Sequence, residues 1–292
     1  MIERFGTYGA WLHPDLGMSR VAYAAELEEL GFRTVWVGIG AEPVGDMRLL
    51  EEMLAATRTV VVATAIVNMW NDDARSLARH HHRIVDRHGS RLLLGVGLGH
   101  PEKRPSYQAP LQRMTEYVDV LLRERVPAED VVIGALGTRT LELAGRRTLG
   151  AHPYLTVPAH TRYARNVMGA MAFLAPEQKV VFSEGAVQAR DIGRPAVQHP
   201  YLGLRNYTDN LQRHGFTKDD VSGAGSDRLV DALVAHGSPE AIYRRLDEHL
   251  AAGADHVGIQ VLTGEHDATP MPAFRALAAH QSPARPNASA AS

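Results

Sequence analysis

Short apolar runs recur along the chain, each followed by a stretch with helical spacing, and this succession constrains the fold more than any other feature. It is the pattern of a parallel sheet in which every strand returns through a helix. Eight runs stand out: Phe5 to Trp11, Thr34 to Val37, Val60 to Val67, Arg91 to Val96, Asp130 to Ala135, Leu149 to Thr156, Lys179 to Ser183 and His256 to Leu262. Most are continuous rather than alternating, so both faces of the sheet are expected to be buried. Helices fill the intervals, such as Ser19 to Leu30 with Ser19 as N-cap and Gly31 as stop, and Asp72 to His88 before Gly89. Pro270 to His280 supplies the eighth. Eight such units predict an α/β fold of the (β/α)8, TIM-barrel type, although an open doubly wound sheet shares the same local pattern.

The interval between the seventh and eighth strands is roughly twice the longest of the others. It predicts an insertion at about 185–237, containing the Pro/Tyr/Gly-rich piece His199 to Gly203 and helices at Leu204 to His214 and Asp227 to Ala235, before a barrel helix at Ser238 to Ala252. Insertions after barrel strands commonly form lids or substrate pockets. Residues 1–281 are expected to form one domain, and the tail 282–292, SPARPNASAAS, to be disordered.

Composition narrows the function. Of 292 residues 45% are hydrophobic and 22% charged, as in an ordinary globular chain. Thirty-one basic residues against 33 acidic ones provide no basic field for nucleic acid or an anionic membrane. The absence of cysteine excludes thiolate nucleophiles, zinc–cysteine sites and iron–sulfur clusters. With no apolar N-terminal signal core, a cytoplasmic location is expected.

In a barrel the site lies at the C-terminal ends of the strands, which nominates residues by position. His13, His100 and His152 fall there and can exchange protons near neutral pH, or serve as hydrogen-bonded structural histidines. Trp11, Trp70 and Tyr154 can wall a planar ligand or simply pack, and Glu184 follows the seventh strand as a polar contact or a helix-terminal charge. After the fifth strand, Gly134-Ala135-Leu136-Gly137-Thr138-Arg139 precedes a helix. Small residues, free helix-start N–H groups and Thr138 as cap suit a phosphate, and they equally suit a tight turn that binds nothing.

Other chemistries are disfavoured. Gly95-Val96-Gly97-Leu98-Gly99 lacks the third glycine and immediate helix of a dinucleotide fingerprint. Adjacent side chains in His80-His81-His82 diverge by about 100° on a helix, so no metal site is expected. A Schiff-base aldolase needs a lysine inside the barrel, whereas Lys179 is expected at the opposite, strand-opening end.

Taken in order, these segments resemble the luciferase-like monooxygenase superfamily, and most closely its branch of coenzyme F420-dependent oxidoreductases, from about Gly6 to Leu262. The third strand, Thr59 to Asn68, is similar to the family's bulged strand, and the resemblance implies a non-prolyl cis peptide at Ala65 to Ile66. Leu94 to His100 resembles the fourth-strand motif. Ile133 to Gly137 with Ala144-Gly145-Arg146 is similar to the phosphate loop and its helix, and Gly150 to Tyr154, Asn206-Tyr207 and Gly253 to Val257 complete the likeness. Studied F420-dependent members carry an Asp-His pair where this chain has Ile39-Gly40, so those proton-handling roles do not transfer.

The resemblance implies hydride transfer between the deazaflavin F420 and a small organic substrate. It places the cofactor on Thr64, Ala65, Ile66, Asn68, Gly97, Gly99 and Gly134 to Arg139, with the substrate near Trp11, Trp70, Tyr154 and Glu184. The alternatives are an FMN-dependent monooxygenase with a partner reductase, and a non-catalytic barrel. A homodimer is the expected assembly.

Overall fold

The computed structural model describes residues 2–40, 42–99, 109–264 and 268–280. Strands and helices alternate from the start: β1 (Tyr8–Leu12), α1 (Ser19–Glu29), β2 (Thr34–Gly38), α2 (Arg48–Ala55), β3 (Val61–Ala65), β4 (Val67–Asn68), α3 (Ala74–His88), β5 (Leu92–Gly97), α4 (Pro110–Arg123), β6 (Val131–Ile133), α5 (Thr138–Arg147), β7 (Gly150–Ala151) and α6 (Pro158–Met168). There follow β8 (Phe173–Leu174), β9 (Glu177–Val181), α7 (Ala186–Gln198), α8 (Arg205–Arg213), α9 (Asp227–Leu233), β10 (Val234–His236), α10 (Pro239–Ala251), β11 (Val257–Val261) and α11 (Met271–His280).

All ladders are parallel. The strand order is β10-β9-β11-β1-β2-β3-β5-β6-β7-β8, with β4 against β5. Only Ala175 and Pro176 separate β8 from β9, yet β8 pairs with β7 and β9 pairs with β11. The Leu174 carbonyl also accepts from Asp255 N at 2.9 Å, just before β11. The ordering therefore returns on itself through one stretch of chain, which an open doubly wound sheet does not do.

Alternate residues of each strand enter different cores, as the two-residue period of a strand requires. Outward-facing Val35, Val37, Val62, Leu92, Leu94 and Ile133 pack with Leu27, Leu54, Ile84, Leu121 and Leu246 of the helices. Inward-facing Trp11, Trp36, Val61, Ala63, Leu93, Val132, Phe173 and Ala175 fill the sheet's concave side with Phe5. Both sets are buried, which explains why the runs are continuous in sequence. A third cluster joins α7, α8 and α9 through Ala189, Val197, Leu211, Leu229 and Val230, and packs against Leu136, Tyr154 and Leu262, which follow β6, β7 and β11.

Several local expectations are corrected. Ser19 is the first helical residue of α1 and Met18 its cap, with no side-chain cap bond. Gly137, not Thr138, is the N-cap of α5. The sixth strand shrinks to Gly150–Ala151 because the chain leaves the sheet at His152-Pro153, and Phe173–Leu174 was not anticipated. Val234 and Ala235 close no helix: their branched and small side chains extend as β10 beside β9. His100 and the tail 282–292 lie outside the described residues.

Candidate active site

The third strand breaks at Ile66, where the Ala65–Ile66 peptide is cis. Before the break, Thr64 accepts from Gly95 N and donates to Gly95 O, both at 2.8 Å, clamping β3 to β5. The Ile66 side chain then lies across Gly97 of β5 and Gly134, the residue that follows β6. A Cβ on Gly97 would fall 2.4 Å from Ile66 Cδ1, and one on Gly134 would fall 3.5 Å from Ile66 Cγ2. At Gly95 the obstacle is backbone, since a Cβ would sit 1.9 Å from the Thr64 carbonyl oxygen. These glycines let one bulged strand lie flat against its neighbours. Asn68 closes the bulge, its Oδ1 accepting from Trp70 N at 3.0 Å, and its amide lies against Gly99.

Beside this surface, Gly134 N donates to Val96 O at 2.9 Å and leads through buried Ala135 and half-buried Leu136 to the start of α5. His160 Nε2 contacts the Leu136 carbonyl at 3.0 Å. Burial pushes His160 down to about 4, so it is neutral and donates from that nitrogen. Thr138 bonds to the Tyr163 hydroxyl, and Arg139 is exposed. Around Gly137 a Cβ would meet only Thr140 Oγ1, at 3.9 Å. The helix start is thus open, and N–H groups at such a start suit an anion.

The opposite side of the mouth is polar. Lys179 and Glu177 are each 1% exposed, with Nζ and Oε1 at 3.0 Å. Burial pushes the Lys179 ammonium down and the Glu177 carboxyl up, and their mutual attraction opposes both shifts. Lys179 Nζ also lies 3.9 Å from the Tyr154 ring centre and 5.8 Å from that of Tyr201, between α7 and α8. Lys179 is therefore in the middle of β9 and inside the sheet's curve, which corrects its expected place at the far end. The strand begins two residues earlier than the apolar pattern suggests, because its first inward residue is the buried Glu177. A lysine sealed between a carboxylate and two phenol rings is not presented as a nucleophile.

Gln260 of β11 completes this group. Its Oε1 accepts from Tyr154 OH at 2.8 Å and from Lys179 Nζ at 3.3 Å. Tyr154 remains a neutral phenol, since burial and then Tyr201 and Glu177 hold its pKa well above the usual value. With two donors facing one atom, that atom must be the amide oxygen.

Trp11 and Gln260 are partners in the β1–β11 register. With His13, Asp15, Leu16 and Leu262 they line a cleft of about 170 Å3. His13 is half exposed, and its Nδ1 lies 3.3 Å from Asp15 N and 3.2 Å from Asp15 Oδ2. The first contact suits a neutral ring and the second a protonated one. A larger hollow, about 290 Å3, lies between α3 and α4, lined by Asp73 and residues of those helices. Ligands of parallel barrels sit at the strand ends, so the smaller cleft is the relevant one.

The sequence-nominated residues divide accordingly. Trp11, His13 and Tyr154 come together around Gln260. Trp70 faces Arg113, whose guanidinium lies 5.6 Å from its ring, on the side of α4. Glu184 is exposed in the turn before α7 and lines no part of the cleft. His152 is 2% exposed, stacked on Trp36 at 3.9 Å and 6°, with Nδ1 2.6 Å from the Ala175 carbonyl. His81 meets Asp130 and His82 the Glu124 carbonyl, so these two neighbouring side chains diverge.

A family model described as luciferase-like monooxygenase matches residues 18–256. The chain belongs to that family. No curated protein matches the sequence. Among solved structures, an F420-dependent secondary alcohol dehydrogenase in complex with an F420–acetone adduct is 12% identical, with a TM-score of 0.72 over 94% of this chain and 97% of that one. The coenzyme F420-dependent tetrahydromethanopterin reductase of Methanopyrus kandleri is 16% identical, with a TM-score of 0.65 over 87% and 92%. The oxygenating constituent of 3,6-diketocamphane monooxygenase from Pseudomonas putida, in complex with FMN, is 12% identical, with a TM-score of 0.68 over 93% and 95%. These likenesses establish a shared fold.

Sequence reasoning missed Gln260, Glu177 and Lys179 in this luciferase-like chain. The one available signal was a Glu-Gln-Lys triplet inside an otherwise apolar strand region, polar residues that burial permits only when they are paired. Among the described residues no helix is long and apolar enough to cross a membrane.

Proposed function

We propose that this luciferase-like protein is an oxidoreductase that transfers a hydride between coenzyme F420 and a small organic substrate. The observation that supports a phosphate-bearing ring cofactor is the open start of α5, where Gly137 has free space and Thr138 and Arg139 are exposed. Both F420 and FMN would place a phosphate there; F420 continues beyond it into an anionic tail, which the exposed Arg139 would attract. The bound deazaflavin supplies two-electron hydride chemistry.

The chain's own residues divide the work. Thr64, Ala65, Ile66, Asn68, Gly97, Gly99 and Gly134 form a neutral, close-packed support for a ring system, and Gly137 to Arg139 hold the phosphate. Trp11 and Tyr154 wall the substrate cleft, and His13 exchanges the proton at its edge. His152 orients Trp36 instead, since burial holds it down to about 3 and keeps it neutral at working pH. Residues 1–281 form one barrel domain, with 185–237 covering its mouth, and the assembly is a homodimer.

Fluorescence titration with F420 and with FMN, followed by oxygen-uptake measurement, tests the assignment. Tighter F420 binding and substrate reduction without oxygen consumption are expected. FMN binding with oxygen uptake and no F420 response transfers the protein to the monooxygenases, and binding of neither makes it a non-catalytic barrel. Sedimentation velocity tests the dimer.

A further inference from the structure

Most of the segment between β9 and β11 is tied down. β10 is hydrogen-bonded to β9, and α7, α8 and α9 share one core through Val197, Leu204, Tyr207, Leu211, Leu229 and Val230. The stretch 198–203 differs from its surroundings. It contains no buried residue between the buried anchors Val197 and Leu204, and Gly203 has open space around it. Its backbone bonds are local, with Gly203 N donating to Pro200 O and Leu204 N to Tyr201 O at 3.0 Å each, and among the described residues none reaches a strand. Few buried contacts and no ladder bond mark a segment that opens at small cost.

Tyr201 ties this strap to the barrel. Its ring lies 5.3 Å from that of Tyr154 and 5.8 Å from Lys179 Nζ, and its hydroxyl bonds to the Tyr154 hydroxyl. The direction of that bond follows from the next one: Gln260 Oε1 only accepts, so Tyr154 donates to it and Tyr201 must donate to Tyr154. Lys179 Nζ donates to the same Gln260 oxygen and to Glu177, whose other oxygen accepts from Leu155 N. Tyr201 is thus the outermost donor of a chain that joins β9, β11 and the residues after β7. Lys179 is 1% exposed although part of its cover is this half-buried side chain.

We propose that Tyr201 is a latch: releasing it from Tyr154 and Lys179 lets 198–203 swing out while the helices around it stay packed, and uncovers the polar side of the mouth. This rests on the reading that the insertion covers the mouth, and it narrows the moving part to six residues. Closed, the latch keeps water from the Glu177–Lys179 pair and holds Tyr154 beside Trp11, 5.6 Å away between ring centres. Open, Tyr154 loses its donor and Lys179 loses one of its two ring covers, so a polar group of a molecule at the mouth can replace the Tyr201 hydroxyl.

The chain has three lysines, Lys103, Lys179 and Lys218, so acetylation by an N-hydroxysuccinimide ester with peptide mass spectrometry reads the latch without cofactor or substrate. Lys218 is exposed and serves as the internal reference. In the parent protein Lys179 should react at least about a hundredfold more slowly than Lys218, because it is reached only through opening. Tyr201→Phe, which keeps the ring and loses the donor, should speed Lys179 acetylation about threefold, and Tyr201→Ala at least about tenfold, with circular dichroism and the Lys218 rate unchanged. Tyr201→Leu serves if the alanine variant does not fold. Hydrogen exchange should quicken over 198–204 in these variants and stay unchanged in α8 and β10. Lys179 reacting as fast as Lys218 in the parent, or as slowly in folded Tyr201→Ala as in the parent, overturns the latch. Exchange quickened throughout α8 and β10 overturns the six-residue strap. Titration with F420 and FMN keeps the two ideas apart: binding of neither removes the hydride-transfer reading, while a Lys179 response to the Tyr201 variants upholds the latch.

Discussion

The two sides of the barrel mouth solve different problems. From β3 to β6 the surface is neutral and built from shape: Thr64 clamps two strands, and Ile66 lies across Gly97 with almost no room to spare and in ordinary contact over Gly134. From β9 to β1 it is polar and built from satisfied hydrogen bonds, with Glu177, Lys179, Tyr154 and Gln260 in one connected group. A rigid, featureless support suits a flat ring that must be held at a fixed height, whereas oriented donors suit a substrate whose charge changes during reaction. If that division is right, disturbing the polar side should alter stability through charge, and disturbing the neutral side should do so through volume.

Acid gives the largest expected effect. His152 and His256 are buried on the barrel's inner face, and burial pushes them down to about 3 and about 4; His160 and His249, packed among the surrounding elements, are pushed to about 4 and about 3 by the same cause. Each folded value lies below the unfolded value of about 6.5. The unfolded chain therefore binds protons first as the pH falls, so stability is intact above about pH 6.5 and declines toward those folded values. Four imidazoles together give a slope of up to about 5 kcal/mol per pH unit. Against a typical total of about 5–15 kcal/mol, cooperative unfolding near pH 5 is expected by circular dichroism. His152→Gln should reduce the proton uptake of that transition by about one. A native spectrum retained at pH 4 breaks the argument.

Removing one member of the buried ion pair comes next. Lys179→Met leaves Glu177 without its counter-charge and should cost about 3–5 kcal/mol in urea unfolding. The double variant Lys179→Met with Glu177→Gln should recover most of that loss, because the neutral amide still accepts from Leu155 N, which the carboxylate holds at 3.1 Å. A single variant as stable as the parent shows that the polar side is not organised by charge.

On the neutral side, volume should decide. Gly95→Ala drives a methyl onto the Thr64 carbonyl, a backbone atom that cannot move alone, and should cost about 3 kcal/mol. Gly97→Ala meets the Ile66 side chain at Cδ1 and Cγ1, which can change rotamer, rather than fixed backbone, so about 1 kcal/mol is expected. Equal losses at the two sites refute the idea that Ile66, rather than the β3 backbone, is the adjustable part of the surface.

The sequence displayed one side of this comparison much better than the other. Apolar runs reveal strands buried on both faces, so β1, β2, β3, β5 and β11 fell close to their expected places, as did α3 and α11. The small residues of the neutral surface were conspicuous for the same reason: Gly95, Gly97 and Gly134 interrupt apolar strands. Glu177, Lys179 and Gln260 were hard to read because a charged or amide residue in sequence reads as surface, and only the three-dimensional pairing makes burial tolerable. His152 misled in the opposite direction. Its position at a strand end suggested proton transfer, but the chain turns inward there and stacks the ring on Trp36. Val234–His236 became a strand because β9 offered it an edge, a tertiary fact that three residues cannot announce.

The smallest expected effect separates the anion-binding role of the α5 start from its structural one. Gly137 already has extended backbone angles, φ −88° and ψ 157°, and stands as the N-cap with no side chain to satisfy the helix-start N–H groups. Aspartate is among the preferred residues at this position, and its Cβ would have free space, so Gly137→Asp should leave stability unchanged or raise it by a few tenths of a kcal/mol. The same carboxylate would occupy the N–H groups and repel a phosphate, weakening cofactor binding by at least tenfold, about 1.4 kcal/mol. Gly137→Asn supplies a similar cap without charge, and should weaken binding less. Thermal unfolding and cofactor titration of the three proteins give a two-way reading. If Asp lowers affinity and Asn lowers it equally, the loss comes from filling space; if Asp alone does so, charge repulsion at the helix start is responsible. Unchanged affinity in a folded Gly137→Asp protein removes the loop from the cofactor site and leaves it as the turn that merely starts a helix.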